Sequence, residues 1–494
     1  MPMNTHKTPG RHHPPATLPL HGSPRPRTAA PPLYGVRLGP RPLNPLRSLA
    51  LPNFVHIPEV NRYGAKQPSS ATITAVMKTI SCRSQFPRNL SRRSFVAGST
   101  AFTLATASPI FSPSAMAFGS KAEKDAKRIL VGTGKGTSGA FGPSGSILSY
   151  LWDSATGTLT PEGVAAQLPD STWLQPSEDG KFLYVASELS EFKGQPTGAV
   201  SSFKLEDEKH GNKLELLSQV NSASVGTCQC NVDRTGHTVI AVDYGGGSAI
   251  SFVSSSGKLS SAAWSQHYDG YPAGKAPVPN RQEAAHAHFA SFSPDNKYAY
   301  INDLGSDVIH TYKFNSDTAQ LASTGECGMH PGAGPRTLHF HPNGKFAYCM
   351  NEIDSTVNVL RYDPSDGSLS PFQQIALLPE PTPGAPKVVS TGCDTVLTRD
   401  GRFAYFANRG DNFLMSCHID PATGKLTPFD NATRTTCGGK TPRNFRLDPT
   451  ERWILVANQD SDQLSVVARD PATGKLSNEA KSVAAPRPMC IVFV

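Results

Sequence analysis

From residue 129 on, one unit of about 50 residues recurs along the chain, and few folds accommodate such a repeat. Each copy holds a short strand-like run and a turn of Pro-Asp-Gly-Lys type. An aromatic-rich run follows and ends in a small residue and a polar one. The turns centre on Gly180, Gly236, Asn296, Gly344, Gly401 and Glu451, spaced 48 to 60 residues apart. The cleanest copy is residues 334–352. It runs Gly-Pro-Arg, an extended stretch, Pro342-Asn343-Gly344-Lys345, a second extended stretch, then Asn351-Glu352. A second turn reads Asp-Pro-Ala-Thr-Gly-Lys-Leu at 420–426 and again at 470–476, with looser versions at 153–159 and 363–369. Asp and Gly supply turn geometry there, and Leu restarts the strand. Two hairpins per unit make four antiparallel strands, the content of a propeller blade. An open sandwich does not explain six similar units with two turn types in fixed order.

The two ends of the repeat region predict how a ring closes. Residues 489–494 read as the first strand of a unit with nothing after it, and residues 128–132 as a second strand lacking its first. One blade shared between the termini completes both and removes an open sheet edge. The expected fold is all-β: a seven-bladed β-propeller with four antiparallel strands per blade, forming one domain over residues 118–494.

Residues 1–117 are different. They carry 14 Lys and Arg and one acidic residue, Glu59; the whole chain is +8, so residues 118–494 come to −5. The basic balance therefore belongs to the leader, and no nucleic-acid partner is expected for the folded part. Ser91-Arg92-Arg93-Ser94-Phe95-Val96, the weakly apolar run 97–111 and Ala115-Met116-Ala117 stand in the order of a twin-arginine export signal. The signal proper is expected over residues 77–117, after a disordered stretch without periodicity. The chain is thus expected to engage the twin-arginine export machinery and to act in the periplasm or outside the cell. No apolar run reaches the ~20 residues that span a bilayer. Eight of the nine cysteines are scattered through the repeats, and Cys228-Gln229-Cys230 has no second pair to complete a zinc set. Buried thiols are expected, with disulfides open in an oxidising compartment. No catalytic metal and no cofactor are expected.

In a blade, the first strand starts and the second ends on the same face. With first strands lining the channel, these positions ring one mouth. They include Trp173, Glu188, Cys228, Asp243, His288 and Asp303, then Arg336, Asn351, Glu352, Asp394, Asn408, Arg409, Arg443, Asn458 and Gln459. Charged and amide side chains dominate, whereas the Asp-Gly turns at the opposite ends read as ordinary solvent turns. The Asn of Asn351, Asn408 and Asn458 also recurs at Asn302, which suits a capping role between blades. Arg443 follows a Pro as Arg336 does, so it also suits repeat architecture. Arg409 replaces the Gln, Asp or Glu of its sister units, which favours a specific role.

Several of these runs together resemble the seven-bladed lactonase family of propeller-type 6-phosphogluconolactonases and fungal carboxymuconate lactonizing enzymes. They are Asn280-Arg281-Gln282, His286-Ala287-His288, Pro331-Gly332-Ala333-Gly334-Pro335-Arg336, Asn351-Glu352, Asn408-Arg409-Gly410 and Lys440-Thr441-Pro442-Arg443-Asn444-Phe445. The resemblance extends over residues 128–494. It implies a lactone-opening or lactone-forming site for a small-molecule lactone, with His288, Glu352, Arg336 and Arg409 at catalytic positions. His286, Asn351, Asn408 and Arg443 are expected to contact substrate. The chain departs from similar proteins at Ser187-Glu188 and Val242-Asp243-Tyr244, where Asn is commoner, and at Cys228 and Cys393.

The residue types fit the chemistry. His can deprotonate water at its ordinary pKa, with Glu352 sharing or orienting that role. Two arginines can hold an anionic group and oppose a developing oxyanion. No Ser-centred nucleophile elbow is present, which argues against a covalent acyl-enzyme. The leading expectation is an exported 6-phosphogluconolactonase-like lactonase acting on an anionic or sugar-derived lactone. The alternatives are a carboxymuconate lactonizing cycloisomerase and a non-catalytic ligand- or protein-binding propeller.

Overall fold

Turn chemistry fixes the first hairpin of each unit. In the computed structural model, the tip residue takes left-handed φ in all six: Gly180 72°, Gly236 76°, Asn296 60°, Gly344 68°, Gly401 69° and Glu451 54°. Gly and Asn adopt this conformation at little cost. Glu451 is the exception, and its carboxylate accepts a hydrogen bond from Arg399 N of the preceding blade at 2.7 Å. The structure describes residues 128–135, 145–205, 212–378, 389–429 and 434–494. The expected leader, with Arg92-Arg93, lies outside them.

The hairpins build seven antiparallel sheets. Their inner strands are Ser171–Pro176, Thr227–Val232, Ala287–Phe292, Pro335–Phe340, Thr391–Leu397, Pro442–Leu447 and Pro488–Phe493. Each inner strand packs beside the next around one axis, and the last packs against the first. The expected seven-bladed propeller and its shared blade are both present. Arg128–Thr133 pairs with Pro488–Phe493, placing Ile129 opposite Phe493 and Val131 opposite Ile491. In the blade that begins at Thr391, two short strands, Leu426–Pro428 and Arg434–Thr436, share the outer edge.

The core is divided among the blade interfaces. Seven apolar clusters each draw residues from two neighbouring blades. The aromatic residues of the second strands serve this packing. Tyr300, Tyr348 and Tyr405 are fully buried, and each hydroxyl donates to the Asp-Gly turn of the next blade, at Gly367 O (2.7 Å), Gly424 O (3.0 Å) and Gly474 O (2.7 Å). That contact requires glycine: a Cβ on Gly424 would lie 2.4 Å from the Phe346 ring. The eight cysteines among the described residues are buried free thiols.

The shared blade packs through two of the seven clusters, one on each side. Ile491 lies in the first of these, fully buried on the closing strand. Ile491→Ala is expected to destabilise the protein by about 2–5 kcal/mol, the usual cost of a core truncation. Urea unfolding of the full-length protein measures this, and a loss below about 1 kcal/mol would show that the closing blade bears little of the stability.

Candidate active site

The channel mouth is shaped by a β-bulge repeated in every inner strand. Strand pairing skips Thr172, Cys228, His288, Arg336, Arg443 and Met489, and in one blade both Cys393 and Asp394. A bulge leaves one residue without a cross-strand partner and re-aims its side chain. Here these residues, Asp394 excepted, form a single layer against a void of about 10 Å³, close to the lower limit for one water. They also tie the blades together. Thr172 Oγ1 donates to Cys228 O (3.3 Å), and Cys228 Sγ to His288 O (3.4 Å). Arg336 Nε donates to Cys393 O (2.7 Å), and Cys393 Sγ to Arg443 O (2.7 Å). The two cysteines that set this sequence apart from similar proteins are thus links between blades.

The bulge also corrects two expected positions. Because it shifts the alternation by one residue, Trp173 and Asp394 lie deeper in the channel than the mouth layer. Asp394 accepts from Arg446 Nη1 (2.9 Å) and Asn444 Nδ2 (2.8 Å). Burial alone would raise its pKa, but the Arg446 guanidinium beside it brings it down to about 2. The opposite mouth differs from expectation too. Its turns rim a cavity of about 410 Å³ walled by Trp173, Phe289, His339 and Arg446 among others.

At the end of five of the second strands, two consecutive residues divide the work. The first ties the blade together. Asp243 accepts from Ser222, Thr227 and Ser248 hydroxyls at 2.5, 2.7 and 2.8 Å. Asp303 accepts from His286 N at 2.7 Å. Asn351 Nδ2 donates to Thr356 Oγ1 (2.8 Å) and Asn358 Oδ1 (2.6 Å). Asn408 donates to Ser355 Oγ (2.9 Å), and Asn458 to Ser465 Oγ (2.8 Å). All five are fully buried, so the amides of Asn351 and Asn408 are engaged within the ring. The second residue of three of these pairs, Tyr244, Glu352 and Arg409, belongs to the mouth.

Glu352 is the centre of the mouth. Its Oε2 accepts from Arg336 Nη1 and lies 2.8 Å from Arg409 Nη2. Its Oε1 accepts from Arg281 Nη2. His288 Nε2 accepts from Arg336 Nη1 and lies 4.0 Å from Glu352 Oε2. Burial opposes the charge on Glu352, but the guanidiniums of Arg409 and Arg336 overcome it and hold the carboxyl well below the usual range. Burial pushes His288 well below the ordinary imidazole value; Arg336 adds to this, and Glu352 opposes it. At neutral pH the pair is a neutral imidazole beside an ionised carboxylate, so the expected ordinary pKa of His288 is replaced by a depressed one. With Nε2 accepting from Arg336, the ring proton sits on Nδ1, which has no partner among the described residues. Arg409 Nε is likewise a buried donor without one. Buried donors left unpaired are uncommon and call for a partner.

The other expected residues surround this cluster. Arg443 faces the same void and pairs with Glu188 Oε2 at 3.1 Å. His286 stacks on Tyr244, with centroids 4.4 Å apart, and its Nδ1 is 2.8 Å from Tyr244 O. Two residues at the site were not among those expected to act. Tyr244 follows the second-residue rule and meets the His288 ring edge-on. Arg281 belongs to the Asn-Arg-Gln run, but its pairing with Glu352 crosses 71 residues. Among the described residues, no group of three or more His, Cys, Asp or Glu is arranged to hold a metal, and no helix is long and apolar enough to cross a membrane.

Comparison with known proteins points to one family. Residues 128–493 match the family described as lactonase, 7-bladed beta-propeller. The 6-phosphogluconolactonase of Bacillus subtilis is 30% identical over 354 residues, covering 72% of this chain and 95% of that protein. A 6-phosphogluconolactonase of Formosa agariphila is 30% identical over 314 residues, covering 62% and 83%. The solved structure of a periplasmic gluconolactonase from Pseudomonas aeruginosa is 30% identical, with a TM-score of 0.66 over 74% of this chain and 98% of that one.

The depressed imidazole has a consequence for stability. Below about pH 6.5 an unfolded histidine binds a proton that folded His288 does not, so acidification favours unfolding. The depressed Glu352 adds its loss only lower, below about pH 4.3. The urea midpoint of His288→Gln is therefore expected to fall less between pH 7 and pH 5 than that of the wild type. Equal falls would show that His288 titrates normally.

Proposed function

Because the chain belongs to the family of seven-bladed β-propeller lactonases, we propose that it hydrolyses a sugar-derived lactone at the mouth built around His288, Arg336, Glu352 and Arg409. The observation that carries this reading is the buried pairing of a neutral His288 with a guanidinium cluster. Three guanidiniums face one carboxylate, so the site has an excess of positive charge. Such an excess favours the oxyanion formed when water attacks a lactone carbonyl, and burial strengthens it. His288 Nε2 is the proton acceptor for that water, its lone pair freed as Arg336 turns its N–H to the developing oxyanion. The tetrahedral intermediate then expels the ring oxygen, which takes up the proton, leaving a hydroxy acid. Glu352 is too strongly stabilised as an anion to serve as base; it fixes the arginines. The water-sized void beside His288, Arg336 and Arg443 supports hydrolysis over cycloisomerisation, which needs no attacking water.

The sugar-lactone class is supported by the names of the relatives, two of them 6-phosphogluconolactonases and one a gluconolactonase. We further propose export by the twin-arginine route, on the strength of the leader sequence. An exported enzyme would meet unphosphorylated aldonolactones more readily than phosphorylated ones.

Base uptake by the purified full-length protein on gluconolactone, 6-phosphogluconolactone and a muconolactone tests the reaction. Turnover of a sugar lactone is expected; flat traces on all three would remove the enzymatic reading, and turnover of the muconolactone alone would favour cycloisomerisation. His288→Ala and Arg336→Ala are each expected to lose on the order of 10²-fold or more in rate. Full activity in either would exclude that residue from the mechanism. Exchanging Arg92-Arg93 for Lys-Lys is expected to retain the protein in the cytoplasm, as cell fractionation would read; unchanged localisation would refute the export reading.

A further inference from the structure

One guanidinium at the mouth has so far been given only its charge, without a contact to substrate. Arg281 lies on the connection 268–286, which leads from the outer strand Lys258–His267 to the inner strand Ala287–Phe292. Of the equivalent connections whose residues are all described, those at 168–170, 222–226, 329–334, 437–441 and 485–487, every one is far shorter. Long ordered connections on a rigid scaffold are where binding residues concentrate. The backbone under Arg281 is pinned. Arg281 N and Gln282 N both donate to Val278 O at 2.9 Å, and buried Gln282 donates to Leu304 O and accepts from Val278 N, both at 3.2 Å. The turn is fixed and the side chain reaches outward over the mouth.

Its guanidinium differs from the other two on Glu352. Arg336 also donates to Cys393 O (2.7 Å), and Arg409 to Gly392 O (3.4 Å), so both are tied to channel backbone. Arg281 rests on two side chains, Glu352 Oε1 and the Tyr244 hydroxyl at 3.4 Å. It is also the outermost, with 30% of its side chain exposed against 16% for Arg409 and 7% for Arg336. The void beneath holds no more than a water, and a lactone ring arriving at the mouth meets Arg281, the most exposed of the three guanidiniums, first. When Arg281 departs, Glu352 keeps two guanidiniums. A phosphate or carboxylate would offer Arg281 a bidentate partner in exchange.

We propose that Arg281 sets substrate specificity: it leaves Glu352 Oε1 to pair with an anionic substituent, a phosphate ester or a carboxylate, on the incoming lactone. The exchange anchors the substrate at the rim and opens the way to His288 and Arg336. This inference rests on the lactonase reading of the same site.

The test compares full-length wild type, Arg281→Gln and Arg281→Lys on gluconolactone, 6-phosphogluconolactone and a glucarolactone, which are neutral, phosphorylated and carboxylated. The readout is the ratio of kcat/KM for each charged lactone to that for the neutral one. Arg281→Gln is expected to lower this ratio by at least about tenfold, the scale of one charge-assisted hydrogen bond. The loss should fall on KM, with Arg281→Lys retaining part of the preference. The charged lactone that loses its advantage identifies phosphate or carboxylate as the recognised group. Unchanged ratios for both would overturn the proposal. If the wild type turns over none of the three, the lactonase reading fails, and calorimetric titration with inorganic phosphate and with glucarate decides the anion site. Weaker binding by Arg281→Gln than by wild type upholds it; equal binding, or none by wild type, overturns it.

Discussion

Strand pairing between the two ends of the repeat region is the constraint on which the rest of this structure depends. Pairing of Arg128–Thr133 with Pro488–Phe493 turns a row of blades into a ring and gives the inner strands a common axis. Around that axis His288, Arg336 and Arg409, from three consecutive blades, meet on one carboxylate. The apolar cores lie between blades, not at the centre, so the axis is left free for polar residues. The bulge at the start of each inner strand then decides which of them face it.

Within that mouth, burial and charge act in opposite senses on neighbouring groups. Burial favours the neutral forms of both His288 and Glu352. The arginines reinforce burial at the imidazole and override it at the carboxylate, so two adjacent groups are driven to different protonation states. Separation of this kind is how one site assigns a proton acceptor and a fixed counter-charge. An isolated Arg–Glu pair would leave no excess positive charge, whereas three guanidiniums on one carboxylate do. That excess is the feature an oxyanion or an anionic substituent would use.

Much of this was legible in the sequence because its causes are local. A left-handed turn residue selects Gly or Asn, so Gly344 and Asn296 announce their hairpins. Leftover strands at 128–132 and 489–494 announce the shared blade. Arg336 and Glu352 sit at the open ends of one hairpin, and antiparallel pairing alone brings them together. The bulge was not legible, since residues as unlike as Thr172, His288 and Met489 occupy it. Trp173 and Asp394 were therefore assigned one layer too high. The engaged amides of Asn351 and Asn408 were foreshadowed by their recurrence, but which member of each pair faces the mouth depends on that geometry. Arg281 and Tyr244 act across blades, through contacts that no local pattern encodes.

The pH dependence of kcat/KM on an uncharged sugar lactone tests the central claim most directly, that His288 is a neutral base held below its ordinary pKa. A base is lost when it takes up a proton, so activity should hold as the pH falls through about 6.5 and decline only below it. In His288→Gln this acid limb should vanish with most of the rate. A decline centred at or above pH 6.5, or an acid limb unchanged in His288→Gln, would contradict it.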